Sequence, residues 1–244
     1  MDIEAIPAPE LLRWAWEETA GSLAIVTSFQ AEGMVLVDMA SRVCPGARLV
    51  TVDTGRLPEE THEMIDRVRE RYGLIVEVAA PEPEEVENMV ARHGANLFYR
   101  DVPLRMLCCN IRKVRPLERK LGQFRAWATG LRREQGEARE DVKTVSVVDG
   151  RLKLCPLADW TAEEVAEYGV RHGVPRHPLY GRGYTSIGCG PCTRPAEAGE
   201  GERAGRWWWE EGAAKECGIH FSASGRLERK LDVLLEDILA AAAA

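Results

Sequence analysis

The chain has 244 residues, 45% hydrophobic and 29% charged, with a formal net charge of -7. That is enough apolar material for one sizeable core and too little bias for disorder or a fibrous repeat, while the acidic balance opposes general attraction to nucleic acid or anionic membrane. No stretch approaches the roughly 20 apolar residues that span a bilayer, and the N-terminus lacks a basic region followed by an apolar run, so a cytoplasmic setting is expected.

Pro9 near the start of ELLRWAWEETA and Gly21 after its end frame a first helix. Short apolar runs follow at Leu23 to Thr27, Arg48 to Val52, Leu74 to Val78 and Arg125 to Ala128, with amphipathic segments of helix length between the first three. This alternation predicts an α/β fold, a mainly parallel sheet covered by helices on both faces. Gly46, Gly73 and Gly94 mark helix stops. Asp149-Gly150 between Lys143 to Val148 and Arg151 to Leu154 is a hairpin signal, and Thr161 with Glu164 forms a capping box for a helix closed by Gly173 and Pro175.

From Gly181 to about Phe221, glycine, proline, arginine and tryptophan crowd a stretch without periodicity, which reads as a loop-rich functional tail. The last segment carries Leu227, Leu231, Leu234, Leu235 and Ile238 at helical spacing, suited to docking on the domain or to self-association. There are no internal repeats.

Seven cysteines in a reducing compartment point to metal ligands, a reactive thiol and core residues rather than a disulfide framework. Cys108-Cys109 with Cys189-Gly-Pro-Cys192 offers four thiolates from two separated loops, as a closed all-cysteine metal site requires. Adjacent cysteines suit an iron-sulfur cluster better than a compact zinc site, because consecutive side chains diverge, but zinc and unliganded core cysteines remain open on the pattern alone. Cys217 stands in a polar, glycine-containing context where a thiol would be exposed. Cys44 and Cys155 read as small buried hydrophobes. Trp207 to Trp209 cannot share one helix face, so at least one is expected at the surface.

Several ordered motifs, Val52-Asp-Thr-Gly-Arg-Leu57, Cys108-Cys-Asn-Ile-Arg-Lys-Val114, Gly130-Leu-Arg-Arg133, Pro156-Leu-Ala-Asp-Trp160, Cys189-Gly-Pro-Cys192 and Glu216-Cys-Gly-Ile-His220, resemble those of the assimilatory adenylyl-sulfate reductases, within the wider adenylyl-sulfate and phosphoadenylyl-sulfate reductase group. The resemblance runs from about Leu23 to Phe221 and implies a Rossmann-like, adenine nucleotide alpha hydrolase-like fold. It divides the chain into a nucleotide-binding domain over 1–180, a tail over 181–221 with the C-x-x-C pair and the reactive cysteine, and a C-terminal helix over 222–244.

The double cysteine with C-x-x-C is similar to the cluster-bearing branch, which implies a 4Fe-4S cluster on Cys108, Cys109, Cys189 and Cys192 and a preference for adenylyl sulfate. Cys217 matches the family's nucleophile and Lys113 its lysine between cluster and substrate. Ser28, Asp53, Thr54 and Gly130 fall in nucleotide-binding segments, while Arg203 and Arg206 match arginines that hold sulfate and phosphate. Arg132, Arg133 and Arg139 lie in or near the arginine-bearing loop without a choice among them, and His220 either orients the thiol or makes a structural hydrogen bond. The implied reaction reduces adenylyl sulfate to sulfite and AMP through a cysteine S-sulfonate, with thioredoxin or a similar dithiol protein as reductant.

The first loop, Ser28-Phe-Gln-Ala-Glu-Gly33, departs from the family pattern near Gln30 and Gly33. It also lacks the lysine of Ser-Gly-Gly-Lys-Asp-Ser loops, which argues against a pyrophosphatase-type ATPase. A reductase of the 3'-phosphorylated nucleotide is the nearest rival. A zinc-stabilised or electron-transfer binding module is another, but it would leave Cys217 and the arginines without a task.

Overall fold

In the computed structural model, the described residues are Glu4, 6–136, 139–210 and 225–242, with side chains described in the last stretch from position 231 onward. Helix α1 spans Ala8–Glu18, and the six strands are β1 Leu23–Val26, β2 Arg48–Val52, β3 Ile75–Ala79, β4 Ala126–Thr129, β5 Val145–Val148 and β6 Arg151–Leu154. They form one sheet in the order β3-β2-β1-β4-β6-β5, parallel except for the antiparallel β5 and β6 pair. Central β1 and β4 are nearly all buried, as their largely apolar sequences require of strands covered on both faces. Asp149 and Gly150 take positive φ values of 49° and 74°, the turn that joins two strands with matching twist.

The other helices are α2 Ala31–Val43, α3 Glu59–Tyr72, α4 Pro83–His93, α5 Val102–Cys109, α6 Arg115–Leu121, α7 Ala162–Arg171 and α8 Gly225–Ala242. Helix α2 is buried continuously from Glu32 to Ala40, packed between the sheet, α1 and α7. The expected capping box closes both ways at the start of α7: Thr161 Oγ1 accepts from the Glu164 backbone at 3.1 Å and Glu164 accepts from the Thr161 backbone at 2.7 Å. Helix α8 docks on α4 and α5, with Leu231, Leu234, Leu235 and Ile238 packed beside Met89, Leu104 and Leu107. Among the described residues, no helix is long and apolar enough to cross a membrane.

One element differs from the sequence expectation. Cys108 and Cys109 end helix α5 rather than occupying a loop, and the backbone continues through a π-helical turn, Asn110–Val114, into α6. A π turn inserts one extra residue without breaking the helix, so the local pattern carries no stop signal.

Gly130, at the carboxyl end of β4, has no room for a side chain. A Cβ there would lie 2.7 Å from Glu32 Cβ and 2.9 Å from the Glu32 carbonyl carbon, both at the start of α2. Gly130→Ala is therefore expected to lose about 1–3 kcal/mol of stability, as overpacked sites do. Urea unfolding monitored by far-UV circular dichroism checks this; an unchanged midpoint would contradict it.

Candidate active site

Chain progression reverses between β1 and β4, the neighbouring strands from which β2 and β6 lie in opposite directions. In open parallel sheets the crevice outside the carboxyl ends at such a switch point is the natural place for a nucleotide. A cavity of about 340 Å3 opens there, lined by Ser28 and Gln30 after β1, Thr54 after β2, Gly130 and Arg139 after β4, and Cys108, Cys109 and Lys113 from the α5 to α6 run. The stretch from 186 to 207 forms another wall, contributing Ser186, Gly188, Cys189, Cys192, Arg203 and Arg206. What reads as a tail in sequence is thus packed against the sheet end: Ile187 N donates to Gln30 Oε1 at 2.7 Å, and Gly190 N to the Arg56 carbonyl at 2.8 Å.

The three arginines that follow β4 have different fates. Arg132 is 1% exposed and spent on carboxylates, reaching Glu32 at 2.9 Å, Glu134 at 2.9 Å and Glu202 at 3.3 Å. Arg133 turns to the outer surface, paired with Glu4 and Asp159 and donating to the Val142 carbonyl. Arg139 alone of the three lines the cavity, held by Gln135. Asp53 lies outside the lining, where its carboxylate accepts from the Gly55 backbone at 2.8 Å and faces His62 at 3.2 Å. Burial and the nearby Glu32 charge hold Glu202, in the cavity wall, above the usual carboxylate range. Glu32, Glu202 and Arg112 were not singled out from sequence. Two of them sit inside motifs already quoted, but only their neighbours in space show what they face.

The cysteine pairs, 80 residues apart, meet in one place. Cys108 and Cys192 are buried in an apolar cluster with Leu97, Phe98 and Trp207, and Cys109 and Cys189 pack against it. Thr54 Oγ1 lies 3.2 Å from Cys189 Sγ. Burial pushes the Cys108 thiol up to about 11, against the pull of Arg112, and burial with the neighbouring Cys189 and Cys108 pushes Cys192 up to about 12. Such thiols ionise only when a cation or cluster takes the charge. Among the described residues, no three Cys, His, Asp or Glu side chains close on a single point able to hold one metal ion.

Basic and donor groups surround the cysteines. Trp207 is 1% exposed, at a positive φ of 41°, with the Arg105 and Arg206 guanidinium carbons 4.5 and 4.7 Å from its ring. Gly188 leaves the space into which the Arg206 guanidinium fits; a Cβ there would collide with it. Three buried donors of the cavity wall, Arg112 Nε, Arg206 Nε and Trp207 Nε1, have no hydrogen-bond partner among the described residues. Buried donors are normally satisfied, so this wall is built for electron-rich occupants. Trp208 is half exposed, Cys44 and Cys155 are fully buried, and Cys217 and His220 lie outside the described residues.

The phosphoadenosine phosphosulfate reductase domain family matches residues 22–195. The adenosine 5'-phosphosulfate reductase of Allochromatium vinosum is 46% identical over 82% of this chain and 78% of its own length, and that of Halalkalibacterium halodurans 41% identical over 86% and 90%. Among solved structures, a phosphoadenylyl-sulfate reductase from Candida auris in a phosphate complex superposes with a TM-score of 0.65 at 28% identity, covering 78% of this chain and 91% of that one. The Candida glabrata FMN adenylyltransferase in complex with FAD and pyrophosphate, at 13% identity and a TM-score of 0.55 over 94% of this chain and 81% of that one, shares the fold alone. Matched over most of its length by the domain family and at this identity by its relatives, the chain belongs to the phosphoadenosine phosphosulfate reductase family and groups with the adenosine 5'-phosphosulfate reductases.

Proposed function

We propose that the protein reduces adenylyl sulfate to sulfite and AMP, with Cys217 as nucleophile and a 4Fe-4S cluster on Cys108, Cys109, Cys189 and Cys192. The observation that carries this is the convergence, at the switch point of the sheet, of four cysteines with Lys113, Arg139, Arg203 and Arg206 around one cavity. Adjacent Cys108 and Cys109 have diverging side chains, which suit a cluster, whose irons each take one thiolate, better than a single zinc. Arg112 beside Cys108 and Arg105 beside Cys109 offset the negative charge of such a group. When bound, the cluster supplies a fixed local charge and ties helix α5 to the 189–192 turn.

The protein's own residues then carry the reaction. Arg206, Arg203, Arg139 and Lys113 hold the anionic phosphosulfate by charge-assisted hydrogen bonds. The Cys217 thiolate attacks the sulfate sulfur, a sulfur to sulfur bond forms, the sulfur to phosphate-oxygen bond breaks, and AMP leaves with that oxygen. A dithiol protein of the thioredoxin kind attacks Cys217 Sγ, sulfite departs, and the donor ends as its own disulfide, so the two electrons come from thiols. A reducing compartment such as the cytoplasm keeps all these thiols available.

A competition between adenylyl sulfate and its 3'-phosphorylated form tests the assignment. Preference for adenylyl sulfate is expected, and equal or reversed kcat/KM values would overturn it. Arg206→Ala is expected to lower kcat by about 10²- to 10³-fold, the usual effect of removing one donor aimed at developing charge. Arg67→Ala, which removes an exposed pairing with Glu63, should leave kcat unchanged within assay error.

A further inference from the structure

Arg105 and Glu210, neither of them part of a quoted sequence motif, form an ion pair buried at 1% and 4% side-chain exposure. The pairing is bidentate: Arg105 Nε donates to Glu210 Oε1 at 2.8 Å and Nη2 donates to Oε2 at 3.1 Å. Arg105 stands one helical turn before Cys109 on α5, and its guanidinium also hydrogen-bonds the Cys109 side chain. The same guanidinium stacks on Trp207. Glu210 stands three residues after Trp207 of the cavity lining, and the chain runs only seven residues further to Cys217.

A buried ion pair is poor evidence of stability, because desolvating both charges offsets their attraction and apolar replacements of similar volume often fold as well or better. What a bidentate pair adds is a fixed relative geometry. Here the geometry joins a cluster cysteine on α5 to the root of the segment that carries the nucleophile. Resting on the function proposed above, we infer that Arg105 and Glu210 are positioning residues, a clamp that fixes Glu210, seven residues before Cys217, relative to Cys109. Glu210 lies outside the cavity lining, and the clamp acts through Cys217. It should therefore govern the rate of sulfur transfer while leaving nucleotide affinity alone, since a misplacement of about 1 Å at a reacting atom costs on the order of a hundredfold.

The test uses the anaerobically purified full chain and single turnovers with adenylyl sulfate without reductant, following the sulfonate adduct by mass spectrometry. AMP affinity and the iron content and visible spectrum are read in parallel. Glu210→Gln is expected to slow adduct formation by about a hundredfold, with AMP affinity and iron content as in the parent. The double variant Arg105→Met with Glu210→Met removes the charges but keeps the volume. It is expected to fold with at least the parent's thermal midpoint and still react slowly, which a purely structural role would not produce. Adduct formation at the parent rate in either variant, or a slowing that tracks lost iron or lost AMP affinity, overturns the clamp alone. No adduct in the parent protein overturns the functional reading, and the clamp with it.

Discussion

Mixed with adenylyl sulfate in the absence of reductant, the protein should gain one sulfonate unit on the peptide carrying Cys217 and release one AMP, whereas Cys217→Ser should do neither. Attack by one thiol and resolution by another are separable half-reactions, so withholding the second stops the enzyme at a covalent species. Sulfite should appear only when thioredoxin or dithiothreitol is added. A serine hydroxyl is barely ionised at neutral pH, whereas a cysteine is partly thiolate and strongly nucleophilic, so a rate loss of at least about 10⁴-fold is expected. Cys217→Ser should still bind AMP, because the cavity walls that would hold the nucleotide are built by other residues. Sulfite production by that variant at the parent rate, or an adduct on another cysteine, would refute the mechanism.

Removing any one of Cys108, Cys109, Cys189 and Cys192 is the second large effect. Each Ala variant should lose iron, acid-labile sulfide and turnover together, because three thiolates leave one iron of the cluster without its protein ligand. Cys108 and Cys192 also fill the apolar cluster that seats α8, so these two should be less soluble as well. Cys44→Ala and Cys155→Ala are the contrasting pair. Burial pushes both thiols up to about 11, and neither lines the cavity, so each variant should keep its iron and its activity. The parent protein should contain about four irons per chain. Stoichiometric zinc without acid-labile sulfide would exclude the cluster.

Much of the architecture is legible without coordinates. Arg48 to Val52 is the same strand in sequence and structure, because an apolar run bounded by turn residues has few other ways to be buried. Asp149-Gly150 and the Thr161 and Glu164 pair act through bonds among near neighbours, so they survive whatever surrounds them. The stretch after Gly181 is different. Its many glycines and prolines do announce irregular backbone, yet Gly188 and Ile187 serve to seat Arg206 and to bind Gln30, partners that lie elsewhere in the chain or come close only on folding.

By itself, the sequence determined the alternating strands and helices, the hairpin, the helix caps, the two cysteine pairs and the motifs that identify the family, all of them set by local periodicity, turn chemistry or residue type. Tertiary structure alone decided that Arg132 is consumed by three carboxylates, that Arg133 faces outward and that Arg139 enters the cavity. It also paired Arg105 with Glu210 across 105 residues and put Cys108 in a continuous helix opposite the 189–192 turn. The reason is the nature of the interaction: a guanidinium's role is fixed by whichever carboxylates, rings and carbonyls packing brings within about 3–4 Å, and that neighbourhood has no local code.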